Sequence, residues 1–425
     1  MKSLGFGRNA LCISVAAALL QGCSGSHSPF NPAIAIQRAG HLGQAHAATK
    51  SYRVLFSFAN RKVDGTLPLG ALTDVKGTLY GTTAHGSLGP GGGNGLVFSS
   101  GSSGDEHVLY RFKNGTDGRH PQAALALFDG ALYGTTAAGG VNGYGTVFSL
   151  SMTGKEHVLY SFKGVPDGSD PKASLTVANG TLYGTTQSGG TSGDGTIFSV
   201  TTNGKERALY SFKGNPDGAN PTAALTDLNG RLYGTTSEGG LHGGGTVFSI
   251  TAEGKEHQLY SFKGAGDAAV PYAGLTVLNG TLYGTTYFFG SHCAGSDGCG
   301  AVFSITTGGH ERVLYSFKGS PDGQGPIGGL TDHNGTLYGT TIYGGANTAG
   351  TIFSISTAGK ERVLHSFGGA SDGEEPVTDL TLDKDMFYGA TYRGGTINRG
   401  TVFAFKLQYR REDVRDYPAR STEST

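Results

Sequence analysis

Acid–base catalysis needs two or three unlike polar side chains in one place, and the candidates in this chain are His85, His120, Asp170, Asp194, Glu238, His242, Tyr392, Arg393 and Arg399. Brought together, such groups would suit a polysaccharide lyase or hydrolase. The compact catalytic signatures are absent: there is no H-E-x-x-H, no G-x-S-x-G and no closely spaced His/Cys cluster. The glycine run at 89–95 is followed by no helical pattern, so it does not read as a phosphate cradle. No residue is assigned a catalytic role, and no cofactor or metal is expected.

A second group suits recognition better than turnover. Tyr287, Phe288, Phe289, Tyr343 and Tyr392, with His292 and Arg393 beside them, fall in the last third of the chain. Rings stack on sugar faces or anchor a protein contact at low entropic cost, so these residues read as an exposed binding platform. The competing reading is that several of them pack the loop around Cys293 and Cys299.

The four cysteines carry different chemistry. Cys12 lies in an apolar stretch at 10–20 that follows Lys2 and Arg8, and Gly22-Cys23 closes it. This is an export signal, too short to span a bilayer, and its end resembles a bacterial lipobox with Cys23 as the acylated residue. The expected organisation is a signal at 1–23, a tether rich in Ser, Gly, Ala and His at 24–50, a folded body at 51–407 and a charged, disordered tail at 408–425. Cys293 and Cys299, in a C-x5-C spacing, read as a disulfide in an oxidising compartment. A metal reading with His292 and Asp297 lacks four firm ligands.

Composition narrows the elements that must position these groups. Gly supplies 75 of 425 residues against a usual ~7%, which argues against a helical protein. Lys plus Arg and Asp plus Glu stand at 32 each, so no global field points to nucleic acid or an acidic membrane surface. Self-comparison then reveals the architecture. The string "LYGTT" or a near copy places its Tyr at Tyr80, Tyr133, Tyr183, Tyr233, Tyr283, Tyr338 and Tyr388, and "VFS" places Phe98, Phe148, Phe198, Phe248, Phe303, Phe353 and Phe403 in register with it. Each unit of about fifty residues contains four short runs rich in Val, Ile, Tyr, Phe and Thr, bounded by Gly, Asn, Asp and Pro. Asn-Gly between the first two runs is a two-residue hairpin signal.

Seven four-stranded antiparallel units predict an all-β, seven-bladed β-propeller. The first match to the repeat, Arg53 to Phe58, is only a fourth strand, and the last unit stops after its third, so the N-terminal strand should complete the last blade. One face then carries the "GGxxGxG" and "DGxxP" loops, and the other carries short, nearly identical turns. The Asp of each "DGxxP" reads as a turn cap and not as a calcium ligand. The Glu at 106, 156, 206, 256, 311 and 361 begins the outer strand and reads as a solvated charge. Variation concentrates after the second strand: Ala84-His85, Ala137-Ala138, Gln187-Ser188 and Ser237-Glu238 give way to Tyr287-Phe288-Phe289, Ile342-Tyr343 and Tyr392-Arg393.

The run "LYGTT…GG…GTVFS…GKE…LYSF" resembles the choice-of-anchor tandem repeat GloVer-containing proteins, the Gloeo/Verruco repeat family of bacterial exported proteins, over residues 51–407. The resemblance implies a propeller attached to the cell by a member-specific anchor, here Cys23, and supplies no activity. The expected function is a monomeric, lipid-anchored envelope module at the outer membrane or cell surface that binds protein or glycan and no nucleic acid. The rival is a carbohydrate-active enzyme with its site at the channel mouth.

Overall fold

Within each unit, turn chemistry and a close backbone approach set the strands. In the fourth unit the strands are Thr226–Leu228, Arg231–Thr236, Thr246–Ile250 and Glu256–Ser261, antiparallel in that order. Leu228 pairs with Arg231, which leaves Asn229 and Gly230 as a two-residue loop with φ of 57° and 79°. Gly234 of the second strand faces Phe248 of the third, and a Cβ on it would lie 2.5 Å from the ring's Cζ. Glycine is therefore what lets the ring lie flat over its neighbour. The third strand is buried along its whole length, whereas the outer strand is largely half-exposed.

The computed structural model describes residues 52–59, 64–86, 93–264, 267–290 and 298–407. The chain divides into two units, Met1–Thr49 and Lys50–Thr425, of which the first lies outside the described residues, as do the expected signal, Cys23, the whole tether and the tail. Seven such sheets form a ring without α-helices among the described residues. In the seventh blade, Thr381–Asp383, Met386–Arg393 and Thr401–Lys406 are completed by Tyr52–Ser57, which pairs antiparallel with Thr401–Lys406 as expected. The Phe58 N–H also donates to the Gly400 carbonyl at 3.2 Å.

Two repeated contacts join the blades. At every seam the Phe that ends one outer strand meets the "VFS" Phe of the next blade edge to face, from Phe58–Phe98 round to Phe367–Phe403, with centroids 5.0–5.5 Å apart. A threonine on the inner strand donates to the Leu carbonyl of the next blade: Thr73 to Leu125 at 2.6 Å, Thr176 to Leu225, Thr226 to Leu275, and finally Thr381 to Leu72, which closes the circle. Blade two carries Ala126 at this position and lacks the bond.

The aspartates cap their turns, and they also do more than the sequence suggests. Asp167 Oδ2 accepts the Lys163 backbone N–H at 3.0 Å and the Tyr160 hydroxyl at 2.8 Å. The outer-strand glutamates correct the sequence reading outright. They are not solvated: Glu106, Glu156, Glu206, Glu311 and Glu361 each bury one carboxylate oxygen without a hydrogen-bond partner. The reason is geometric, because each lies in a seam, against the aspartate of the loop that enters its own blade.

Candidate functional site: the channel mouth

The variable loops meet where the "DGxxP" loop of each blade runs beside the end of its second strand. The residue before each proline is held in the left-handed region, from Leu67 and His120 through Asp170, Asn220 and Val270 to Gly325 and Glu375, with φ between 54° and 64°. Its carbonyl accepts the N–H of the residue after "TT", as in Gln187 to Asp170 at 3.1 Å and Tyr287 to Val270 at 3.0 Å. Such a conformation costs a non-glycine residue on the order of 1 kcal/mol or more. Six of the seven blades nevertheless place a side chain there, even the β-branched Val270. The residue after each proline lines the mouth too: Leu69, Gln122, Lys172, Thr222, Tyr272, Ile327 and Val377 border a central cavity of about 130 Å³.

Blades five to seven fill this mouth with rings. Tyr287 meets Tyr272 edge to face at 5.7 Å and Phe288 at 4.5 Å. Burial pushes the Tyr287 hydroxyl up to about 12, with Tyr343, Tyr272 and Glu375 adding to the effect. Burial raises Tyr343 as well, Glu375 adds to it, and the Arg393 guanidinium opposes it. Arg393 Nη1 lies 3.3 Å from Glu375 Oε1, and its guanidinium sits 5.8 Å from the Tyr392 ring centroid. Glu375 is 8% exposed, its Oε2 is buried without a partner, and burial raises its carboxyl despite Arg393. Tyr272, Tyr287, Phe288, Tyr343, Glu375, Tyr392 and Arg393 thus make one sector of half-buried rings with an ion pair at its edge.

This changes the expected platform. The rings are not freely exposed: Tyr392 is 5% exposed, and Tyr287, Phe288, Phe289 and Tyr343 are half-buried. Phe289 belongs to the packing reading, since it joins the core between blades four and five and sits 3.7 Å from where a Gly264 Cβ would be. Cys299 is buried and disulfide-bonded, but Cys293 and His292 lie outside the described residues, so the 293–299 pairing remains a proposal.

The nine polar candidates do not form one centre. His85 and His120 face each other at 4.7 Å, and burial lowers both, His120 to about 4 with His85 and Arg119 contributing. Asp170 instead pairs with Lys172 at 2.7 Å. Glu238 and His242 are exposed, and Asp194 lies by Asp217, which adds to the burial that raises its carboxyl. Only Tyr392 and Arg393 join the aromatic sector. Among the described residues no group of three or more His, Cys, Asp or Glu could hold a metal ion.

Four residues escaped the sequence reading: Lys172, Tyr272, Glu375 and Asp379. The signal for the first three was the variability on either side of each "DGxxP" proline. Asp379 lines the cavity three residues after its proline, where the other blades carry Ala71, Ala124, Ser174, Ala224, Gly274 and Gly329. Its side chain is open to the channel, and the mass of protein around that channel raises its carboxyl while the Gly329 N–H, which donates to Oδ1, works the other way.

Fold and mouth together define a seven-bladed β-propeller with a constant body and one variable face. The chain belongs to the Gloeobacter/Verrucomicrobia repeat family, whose model matches residues 87–296 and 288–417, more than half of its length. No curated protein matches it. Among solved structures it is similar to PorZ, described as an essential bacterial surface component of the type-IX secretion system of Porphyromonas gingivalis, at 14% identity and a TM-score of 0.51. That likeness covers 81% of this chain and 47% of PorZ, so the chain spans about half the length of that relative. A luciferin-regenerating enzyme aligns over 82% of this chain and 93% of its own at 12% identity and a TM-score of 0.40.

Proposed function

We propose that this protein is a non-enzymatic surface module that holds a glycan or a protein segment at the mouth between blades five and seven. The observation that carries the reading is local: blades five to seven place Tyr272, Tyr287, Phe288, Tyr343 and Tyr392 at mouth positions where the first four blades carry neither Tyr nor Phe. Half-buried rings with an Arg–Glu pair at the edge offer stacking surface and directed hydrogen bonds together. The envelope setting, the export signal and acylation at Cys23 belong to the same proposal, and PorZ lends it a surface relative that shares the fold. A glycan array and a pull-down with the Cys23→Ser protein test it; binding that is unchanged when the mouth rings are removed would end it.

One observation favours the enzymatic alternative. Glu375 holds a raised carboxyl beside Arg393 and within the influence of three tyrosines, an environment that suits a general acid. Release of new sugar ends from a bound polysaccharide, lost in Glu375→Gln with binding retained, would support catalysis. Binding without turnover supports the module.

A further inference from the structure

The seams between blades hold ionisable groups that the mouth does not use. Between blades two and three, the Tyr160 hydroxyl gives its single proton to Asp167 at 2.8 Å, and the Lys163 N–H donates to the same carboxylate at 3.0 Å. The Lys163 ammonium sits over the Tyr160 ring, 5.7 Å from its centroid. Glu206 from blade three closes the cluster, with Oε1 buried and unpartnered. One seam earlier the Tyr110 oxygen lies 2.7 Å from Asp117 and 3.4 Å from Glu156. A phenol has one proton, and the aspartate has taken it. A charged glutamate here would face a second carboxylate, eased only by a longer share of the tyrosine hydroxyl and by the lysine.

The same four positions recur around Glu256, with Asp217, Tyr210 and Lys213, around Glu311, with Asp267, Tyr260 and Lys263, and around Glu361, with Asp322, Tyr315 and Lys318. The seams made by the N-terminal strand differ. Tyr52 takes the glutamate position and stacks on His365 at 4.0 Å, and Phe56 takes the tyrosine position where Glu106 faces Asp64 and Arg111.

We propose that at each of the five regular seams the glutamate is protonated in the folded ring and shares its proton with the Tyr–Asp pair, so that the blades grip most tightly in acid and loosen as pH rises towards neutrality. Burial first and the aspartate second push all five glutamates up to about 7, while the tyrosine hydroxyls and then the lysines oppose the shift. The tyrosines are themselves pushed well above their ordinary value and stay neutral throughout. An unfolded glutamate releases its proton near 4.5 and a seam glutamate near 7. Between those values the folded ring keeps protons that the unfolded chain has lost, so stability falls as pH rises across the window and levels off above it.

Thermal melts of the full chain from pH 5 to pH 8 test this, comparing the parent with Glu206→Gln and with a variant carrying Gln at all five glutamates. The parent should lose Tm by several degrees on going from pH 5 to pH 8. The single change should remove about a fifth of that fall if the seams act independently, and the fivefold change most of it. Other titrating groups act on parent and variant alike and drop out of the difference. Infrared spectra at pH 6 should show a protonated carboxyl band in the folded parent, weakened in Glu206→Gln, which decides the matter even if the fivefold variant does not fold. A parent whose Tm is flat or rises with pH, a variant that keeps the parent's slope, or the absence of that band would each overturn the proposal.

Discussion

Tyr343 illustrates what one side chain contributes when the backbone around it hardly varies. Its counterparts in the other blades are His85, Ala138, Ser188, Glu238, Phe288 and Arg393, so blade identity at the mouth is written in single residues. If the rings anchor a ligand, Phe288→Ala with Tyr343→Ala should weaken binding by roughly 1–4 kcal/mol with little loss of Tm. If they chiefly pack, the pair should cost stability, ~3–5 kcal/mol for a fully buried Phe. A titration and a melt on the same variant separate the two. The positions after the second strand were legible because they break a repeat. Their burial was not, since Tyr272 and Glu375 close over them from the neighbouring proline loop, and loop-to-strand proximity has no one-dimensional signature. The outer-strand glutamates were misread for a related reason: an outer strand is exposed only where the next blade does not cover it.

At the scale of elements, the blade is a hairpin pair set by Asn-Gly turns, which were readable from spacing, and by glycines that admit the "VFS" ring, which only the structure revealed. The inner-strand threonine belt was not, because its partner lies one repeat away. Blade two supplies its own test. Thr at Ala126→Thr would stand where Thr176 and Thr226 reach the next blade's Leu carbonyl, here Leu175. The added hydrogen bond should raise stability by about 0.5–1.5 kcal/mol, seen as a higher Tm. An unchanged or lower Tm would mean that the site cannot seat the hydroxyl.

For the whole molecule, closure is the decisive feature, and the mismatch between the two chain ends announced it. Deleting residues 51–58 should remove the outer strand of blade seven, the Tyr52–His365 stack on one seam, the Phe56–Phe58–Phe98 cluster on the other and several degrees of Tm. A deletion that melts like the parent would contradict a ring locked by this strand. Cys23→Ser should release the protein from membranes and abolish fatty-acid labelling, and retention of the label would remove Cys23 as the anchor. Tyr52 pairs with Phe405, so the first strand of the folded body finds its partner only when nearly the whole of that body has been made. Until then blade seven has no outer edge, and blades one and six each present an uncovered flank. Folding can proceed blade by blade, but the circle needs Thr401–Lys406 in place, and a chain cut short before Thr401 is left as an open arc with a sticky free strand.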